Sequence, residues 1–351
     1  MTKPDSSRKR EFASDTWAGL CSSAMEALRD ANVGHADSYG ADPWTEKAVD
    51  RLRQVFDADC EVYFVLTGTA ANSLALAAMC QPYHAVICYA DAHIQTDECG
   101  CPEFLGRGLK LTTVAGAEGK LTPTGILDAV QKHRDVHSNK PSAISISQAT
   151  EVGTVYSVAE LQALAEVARE LRLAIHMDGA RLANALATLQ VAPKEITWQV
   201  GVDVLCLGGT KNGIAVGDAI VFFNRDMARE FPYRVKQAGH LLSKMRLMTA
   251  PWAALLESGV WLENARHANR MAQYLEQKLR EIPGIEIRYP VQANGVFVLM
   301  PPAWLEALHG RGWHFYNIAG AERLMCSWDT QPEDIDALHH DLREIVASVP
   351  S

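Results

Sequence analysis

Between residues 50 and 225 the chain alternates short apolar runs of β-type residues with segments of helical composition. The runs are CEVYFVL (60–66), AVICY (85–89), AISIS (143–147), LAIHM (173–177), DVLCL (203–207) and AIVFF (219–223). TGTAANSLALAAM follows the first run and has helical composition. VAELQALAEVARELR (158–172) is clearly amphipathic, its apolar residues recurring at three- and four-residue steps. This rhythm predicts an α/β fold with a mostly parallel sheet and helices on both faces. Its ligand is expected at the carboxyl ends of the strands.

After residue 250 the texture changes. A long helical stretch is expected from near Trp252 through HANRMAQYLEQKLREI to Pro283. Short β-type segments follow (IEIRY, GVFVLM, WHFYNI, RLMCSW), then a last helix from about Pro332 to Ser348. The expected division is an N-terminal arm with a large domain over 1–250, and a small C-terminal α+β domain over 251–351. A length of 351 residues suits two domains at roughly 150 residues each. The net charge of −9 argues against a nucleic-acid partner, which wants a basic stripe. No apolar run approaches the roughly 20 residues that span a bilayer, so no membrane partner is expected. MTKPDSSRKREF has basic residues without an apolar core behind them, unlike a secretory signal. A cytoplasmic enzyme is the expectation. The eight cysteines form no CxxC pair, and Cys99-Gly-Cys101 lacks a second pair, so buried or free thiols and no metal site are expected.

The chemistry sits at the strand ends. LAIHM ends at Asp178-Gly179, which would deliver a carboxylate to the open edge of the sheet. Lys211 lies 33 residues later, in a glycine-bearing turn after DVLCL. A lysine partly desolvated among small residues exposes a neutral amine, as a Schiff base to an aldehyde cofactor requires. Pyridoxal 5'-phosphate (PLP) also needs a carboxylate to keep its ring nitrogen protonated, and Asp178 fits that task. Thr67-Gly68-Thr69-Ala70 stands where a strand turns into a helix. It is either an ordinary helix cap or, beside Asp178 and Lys211, a cradle for the cofactor's phosphate. His93 follows the AVICY strand and either lies over the cofactor ring or is structural. Glu98 orients His93 or a water, or is simply solvated.

HMDGARLANA, GGTKNG, FASDTWAGL, SYGADPWT, TGTAANSLAL and ADAHIQTDE, taken in order, resemble the low-specificity L-threonine aldolases. The likeness runs from about residue 11 to CSWDT at 326–330. SQATEVGT and GGTKNG are most similar to a bacterial branch that includes a Pseudomonas enzyme and the phenylserine aldolases. The resemblance implies PLP as cofactor, fold type I (aspartate-aminotransferase-like), and retro-aldol cleavage of a β-hydroxy-α-amino acid to glycine and an aldehyde. It implies that Lys211 carries the cofactor, Asp178 pairs with its ring nitrogen, and Gly68 and Thr69 hold its phosphate. His93 would stack on the ring and take the β-hydroxyl proton, alone or through a water. Ser14, Arg181 and Arg323 would grip the substrate carboxylate, with Glu98 also on the substrate side. Tyr39 and Arg246 match positions that reach a neighbouring subunit's site, which implies a homo-oligomer, dimer or tetramer, with shared active sites. Two departures bear on the β-substituent. Many relatives have a histidine where this chain reads Gln148-Ala149-Thr150-Glu151, and many have SKGL where it has GGTKNG. A phenylserine aldolase, or more distantly a transaminase, would use the same core. A PLP-binding regulator would want an added basic helix-turn-helix module, for which no spare segment exists.

Overall fold

The computed structural model describes residues 11–132 and 135–348. The first ten residues of the expected N-terminal arm, and the last three of the expected C-terminal domain, lie outside them. Seven strands form the larger sheet: β1 (Glu61–Val65), β2 (His84–Tyr89), β3 (Lys110–Val114), β4 (Lys140–Ser147), β5 (Ala174–Gly179), β6 (Val204–Leu207) and β7 (Asp218–Phe222). Their order is β1-β7-β6-β5-β4-β2-β3. All pairings are parallel except those of β7, which runs against both β1 and β6. The fold is thus the α/β, mostly parallel one that the alternation predicts. β6 and β7 are buried along their whole lengths, which explains their unbroken apolar runs.

One strand of this sheet has no counterpart among the predicted runs. KLTTV forms the outermost strand β3, half exposed and starting on an exposed lysine. An edge strand buries only one side, so it carries a weaker apolar signal than a central one.

Helices cover both faces. The helix Gly68–Met79 is buried on every side from Ala70 to Ala77, hence its small, apolar make-up. The helix Val158–Leu171 starts on a capping box in which Ser157 and Glu160 satisfy each other's backbone N–H groups. The expected long helix from Trp252 is in fact two helices. The first, Arg246–Ser258, begins earlier and contains Pro251. The second is Val260–Arg280, and Gly259 between them takes φ +79, which ends the first helix. Tertiary burial of Met248 through Ala253 overrides the breaker signal of Pro251.

The smaller sheet has four antiparallel strands: β8 (Glu286–Ile287), β9 (Gly295–Leu299), β10 (Tyr316–Ile318) and β11 (Ala321–Met325), in the order β10-β11-β9-β8. The helix Pro332–Ser348 ends the described chain. Two cores result. Trp252, Trp261 and Ala265 pack with the large sheet, whereas Ala272, Leu275 and Leu279 pack with the small one. The change of core therefore falls inside the helix Val260–Arg280, beyond the expected junction at Ala250-Pro251. Phe12 belongs to the small core, stacked on Trp313 at 5.9 Å, and its carbonyl accepts the Met325 N–H at 2.7 Å. Residues 13–17 are thereby strung between the two sheets. Among the described residues no helix is long and apolar enough to cross a membrane.

Candidate active site

The carboxyl ends of β5 and β6 approach each other so closely that side chains are excluded. A Cβ on Gly179 would meet Leu205 at 2.7 Å, and one on Gly208 would meet the Ala180 carbonyl at 2.6 Å. Asp178, next to last in β5, lies beside Cys206 of β6, and Lys211 follows in the turn Thr210–Asn212. That turn is tied down on both sides. Asp218 accepts the Gly209 N–H at 2.8 Å, and Asn212 donates to the Trp261 carbonyl at 2.7 Å. A cavity of about 420 Å³ opens there, lined among others by Gly68, Thr69, His93, Asp178, Arg181 and Lys211. Six of the predicted residues meet in one place.

The electrostatics are organised around two buried groups. Burial lowers the Lys211 amine below the ordinary lysine value, and the Arg181 charge lowers it further. Among the described residues no carboxylate lies within ion-pair distance of Lys211. Burial alone would raise Asp178, but the Lys211 charge and the Ala180 N–H at 2.9 Å hold it below the ordinary carboxylate value. Asn72 donates to Asp178 and to Glu98, each at 2.9 Å. Thr67 caps the helix Gly68–Met79 by accepting the Ala70 N–H at 3.2 Å, so the cap reading holds for Thr67. Gly68 and Thr69 of that first turn line the cavity.

Of the places open to Glu98, the structure gives it the one that orients His93. It is buried behind His93, its carboxylate 2.8 Å from Nδ1, because a buried carboxylate needs donors and finds them in His93 and Asn72. This hydrogen bond raises the imidazole above its ordinary value, while burial raises Glu98.

A second cavity, about 750 Å³, shares His93, Arg181 and Lys211 with the first and adds Ser14 and Arg323. Here the small sheet and the N-terminal segment supply the wall. Arg181 does not offer its whole fork to a ligand: Nε and Nη2 bind Asp15 at 2.7 and 2.9 Å. Asp15 is buried, which pushes its carboxyl up, but the charge and hydrogen bond of Arg181, with Lys211 and Asn294, together hold it below the ordinary carboxylate value. Arg323 is nearly unpartnered. Nη2 donates to the Ala13 carbonyl at 3.2 Å, while Nε is buried without a partner. Burial pulls this guanidinium down to about 10, and the Arg181 charge adds to the shift. The Ser14 hydroxyl is a cap, accepting the Thr16 N–H at 3.3 Å.

Tyr39 and Arg246 stand apart from both cavities. Tyr39 is half exposed, its ring 4.7 Å from the Lys236 amine. Arg246 lies over the Trp44 ring, donates Nη2 to the Gly34 carbonyl at 3.2 Å, and has Nη1 buried without a partner.

The donor set fits PLP. A buried amine with no ion-pair partner, a depressed carboxylate at the neighbouring strand end and a helix's first turn share one cavity.

Known proteins point the same way. The beta-eliminating lyase family matches residues 11–301. The low-specificity L-threonine aldolase of a Pseudomonas species is 51% identical over 97% of this chain and 99% of its own length. This chain belongs to the low-specificity L-threonine aldolase family. The Escherichia coli member is 29% identical over 77% of this chain and 79% of its own length. A solved Leishmania major threonine aldolase superposes with a TM-score of 0.90 at 28% identity, covering 96% of this chain and 99% of that one. The chain is accordingly a PLP-dependent lyase of fold type I.

Sequence reasoning passed over several residues of this aldolase site: Asp15, Asn72, Asp218 and Glu151. Only Glu151 carried a signal, since it falls in the segment where many relatives have a histidine. The others act through hydrogen bonds to residues far along the chain, and no spacing announces those.

Proposed function

We propose that the chain cleaves L-threonine and L-allo-threonine to glycine and acetaldehyde, and that Lys211, Asp178, His93 and the Arg323 wall are its working parts. The observation that carries this is the meeting of the Lys211 amine and the Asp178 carboxylate in a cavity continuous in its lining with Arg181 and Arg323. PLP, when bound, supplies an electron sink for the pair left by the breaking Cα–Cβ bond. Lys211 would hold its aldehyde carbon, Asp178 its ring nitrogen, and Gly68 and Thr69 its phosphate. His93, locked by Glu98, would lie against the ring. Arg323, with the remaining Arg181 donor, would grip the substrate carboxylate and set which bond at Cα stands ready to break.

The expected two-domain organisation also belongs to this reading, with the small sheet closing the substrate side. So does a cytoplasmic setting. Tyr39 and Arg246 are assigned to a neighbouring subunit's site in a homo-oligomer, supported by their distance from both cavities of their own chain and by the unpartnered Arg246 Nη1. Mixing inactive Lys211→Ala and Arg246→Ala proteins tests this, since a shared site restores part of the activity and self-contained sites restore none.

The deciding experiment is aldehyde release by purified PLP-loaded protein from L-threonine and from L-threo-phenylserine. Acetaldehyde from threonine is expected. Benzaldehyde alone would move the substrate to the aryl class. Alanine formed from added pyruvate would make it a transaminase.

A further inference from the structure

Cleavage needs a base for the substrate's β-hydroxyl, and the identity of that base rests on the aldolase reading. His93 is poorly set for the task. Its Nδ1 faces Glu98 at 2.8 Å, and its Nε2 faces Asp97 at 3.5 Å. Two carboxylates on the two ring nitrogens favour the protonated ring, which has no lone pair to offer.

Glu151 is set the other way. It follows β4 and lines both cavities. One oxygen, Oε1, accepts from the Ser147 hydroxyl at 2.6 Å and from the His93 backbone N–H at 3.0 Å. The other oxygen accepts from no other described residue. These donors, with the Glu151 backbone N–H, fix the carboxyl, and no other described residue competes with a ligand in the cavity for the second oxygen. We infer that Glu151 is the catalytic base that takes the β-hydroxyl proton as the Cα–Cβ bond breaks. The O–H bond breaks and a new one forms on the Glu151 carboxylate. The oxygen's freed pair becomes the second bond of the aldehyde carbonyl, and the Cα–Cβ pair stays with the glycine fragment. One proton then goes to Cα, which closes the count.

Glu151 shares its cavities with Asp91, His93 and Asp97 from the segment after β2, with Asp178 of β5 and with Arg181 just after that strand. Lys211, Asp218, Tyr316 and Arg323 line the same cavities, and Cys88, Tyr89 and Tyr156 also feel the Glu151 charge. Burial raises the Glu151 carboxyl above the ordinary glutamate value despite the Ser147 and His93 donors. The basic form therefore grows as pH rises through that raised value, and the rate grows with it.

The test is Glu151→Gln, which keeps the shape and loses the proton acceptor. On L-threonine, kcat is expected to fall about a hundred-fold or more, with KM within a few-fold and the acid limb of the kcat profile gone. The Schiff-base absorbance of the loaded variant stays. Formate added to Glu151→Ala restores part of kcat, and His93→Asn keeps the acid limb. In wild-type protein with carboxyl-labelled glutamate, the carbon resonance missing from Glu151→Gln titrates above the ordinary glutamate range. Wild-type protein that releases no aldehyde overturns the aldolase reading and this inference together. Cleavage by wild type with an equally fast Glu151→Gln overturns this inference alone. So does a Glu151 carboxyl titrating in the ordinary range, or a variant that loses its Schiff-base band without formate rescue.

Discussion

The two walls of the site are built on opposite principles. At the strand ends of the large sheet, buried charge is satisfied by the protein: Asp178 by Ala180 and Asn72, and Arg181 by Asp15, itself bound by Asn294 at 3.0 Å. On the small-sheet side, Arg323 reaches one carbonyl and keeps a buried donor idle. A buried charge without partners is costly, and it persists where a ligand completes it. Apart from Lys211, the large-sheet wall is a finished floor, whereas on the proposed reading the small-sheet wall is half of an ion pair whose other half is the substrate.

Changes at the floor should therefore abolish chemistry or cost stability, and changes at the wall should cost affinity. Lys211→Ala is the largest. Turnover and the Schiff-base band should both vanish, and turnover that persists without the band would break the assignment.

Asp15→Ala comes next, read in the cofactor-free protein. It leaves Arg181 buried and uncompensated, so the expected loss is about 3–5 kcal/mol in denaturant unfolding. The pH dependence follows from the lowered Asp15 pKa. The stabilisation is present above the unfolded value of 3.8 and is lost as pH falls through the depressed folded value. Wild type should lose more stability there than Asp15→Ala, which keeps only the contributions of other lowered carboxylates such as Asp178. Equal losses would mean that the pair is no part of the finished floor.

Arg323→Ala should spare the Schiff-base band and raise KM about 30-fold or more, the cost of removing one partner from a buried charged pair. The wild-type wall also has a pH signature. The guanidinium is charged below about 10 and loses its charge as pH rises through that value, so KM should rise there. A flat KM would give the carboxylate grip to another group.

Ser14→Ala is the smallest. A lost cap costs about 1 kcal/mol of stability and leaves KM alone. A raised KM with unchanged stability would return Ser14 to the substrate.

Much of the floor was legible in the sequence, because its residues stand next to apolar strands that announce themselves. Asp178 and Lys211 could be placed from strand ends alone. Gly68, Thr69 and His93 follow strands in the same way. The edge strand β3 escaped because it is half exposed. The wall was legible only through resemblance, since nothing in AERLM says that Arg323 will lack a partner. The pairing of Asp15 with Arg181 spans 166 positions, and the Glu98–His93 contact chose among the places the sequence left open for Glu98.

The sequence by itself determined the α/β layering and the positions of the lysine and the carboxylate, because period and apolar burial are local properties. It also carried family membership, through an ordered set of motifs. Only the tertiary structure decided which charges are spent within the protein and which remain for a ligand. Asp15 occupies one side of Arg181, Glu98 sits behind His93, and Glu151 is held by Ser147 and the His93 N–H at the cavity wall. Pairing depends on distance and shared desolvation across elements far apart in the chain, and a linear pattern does not encode that.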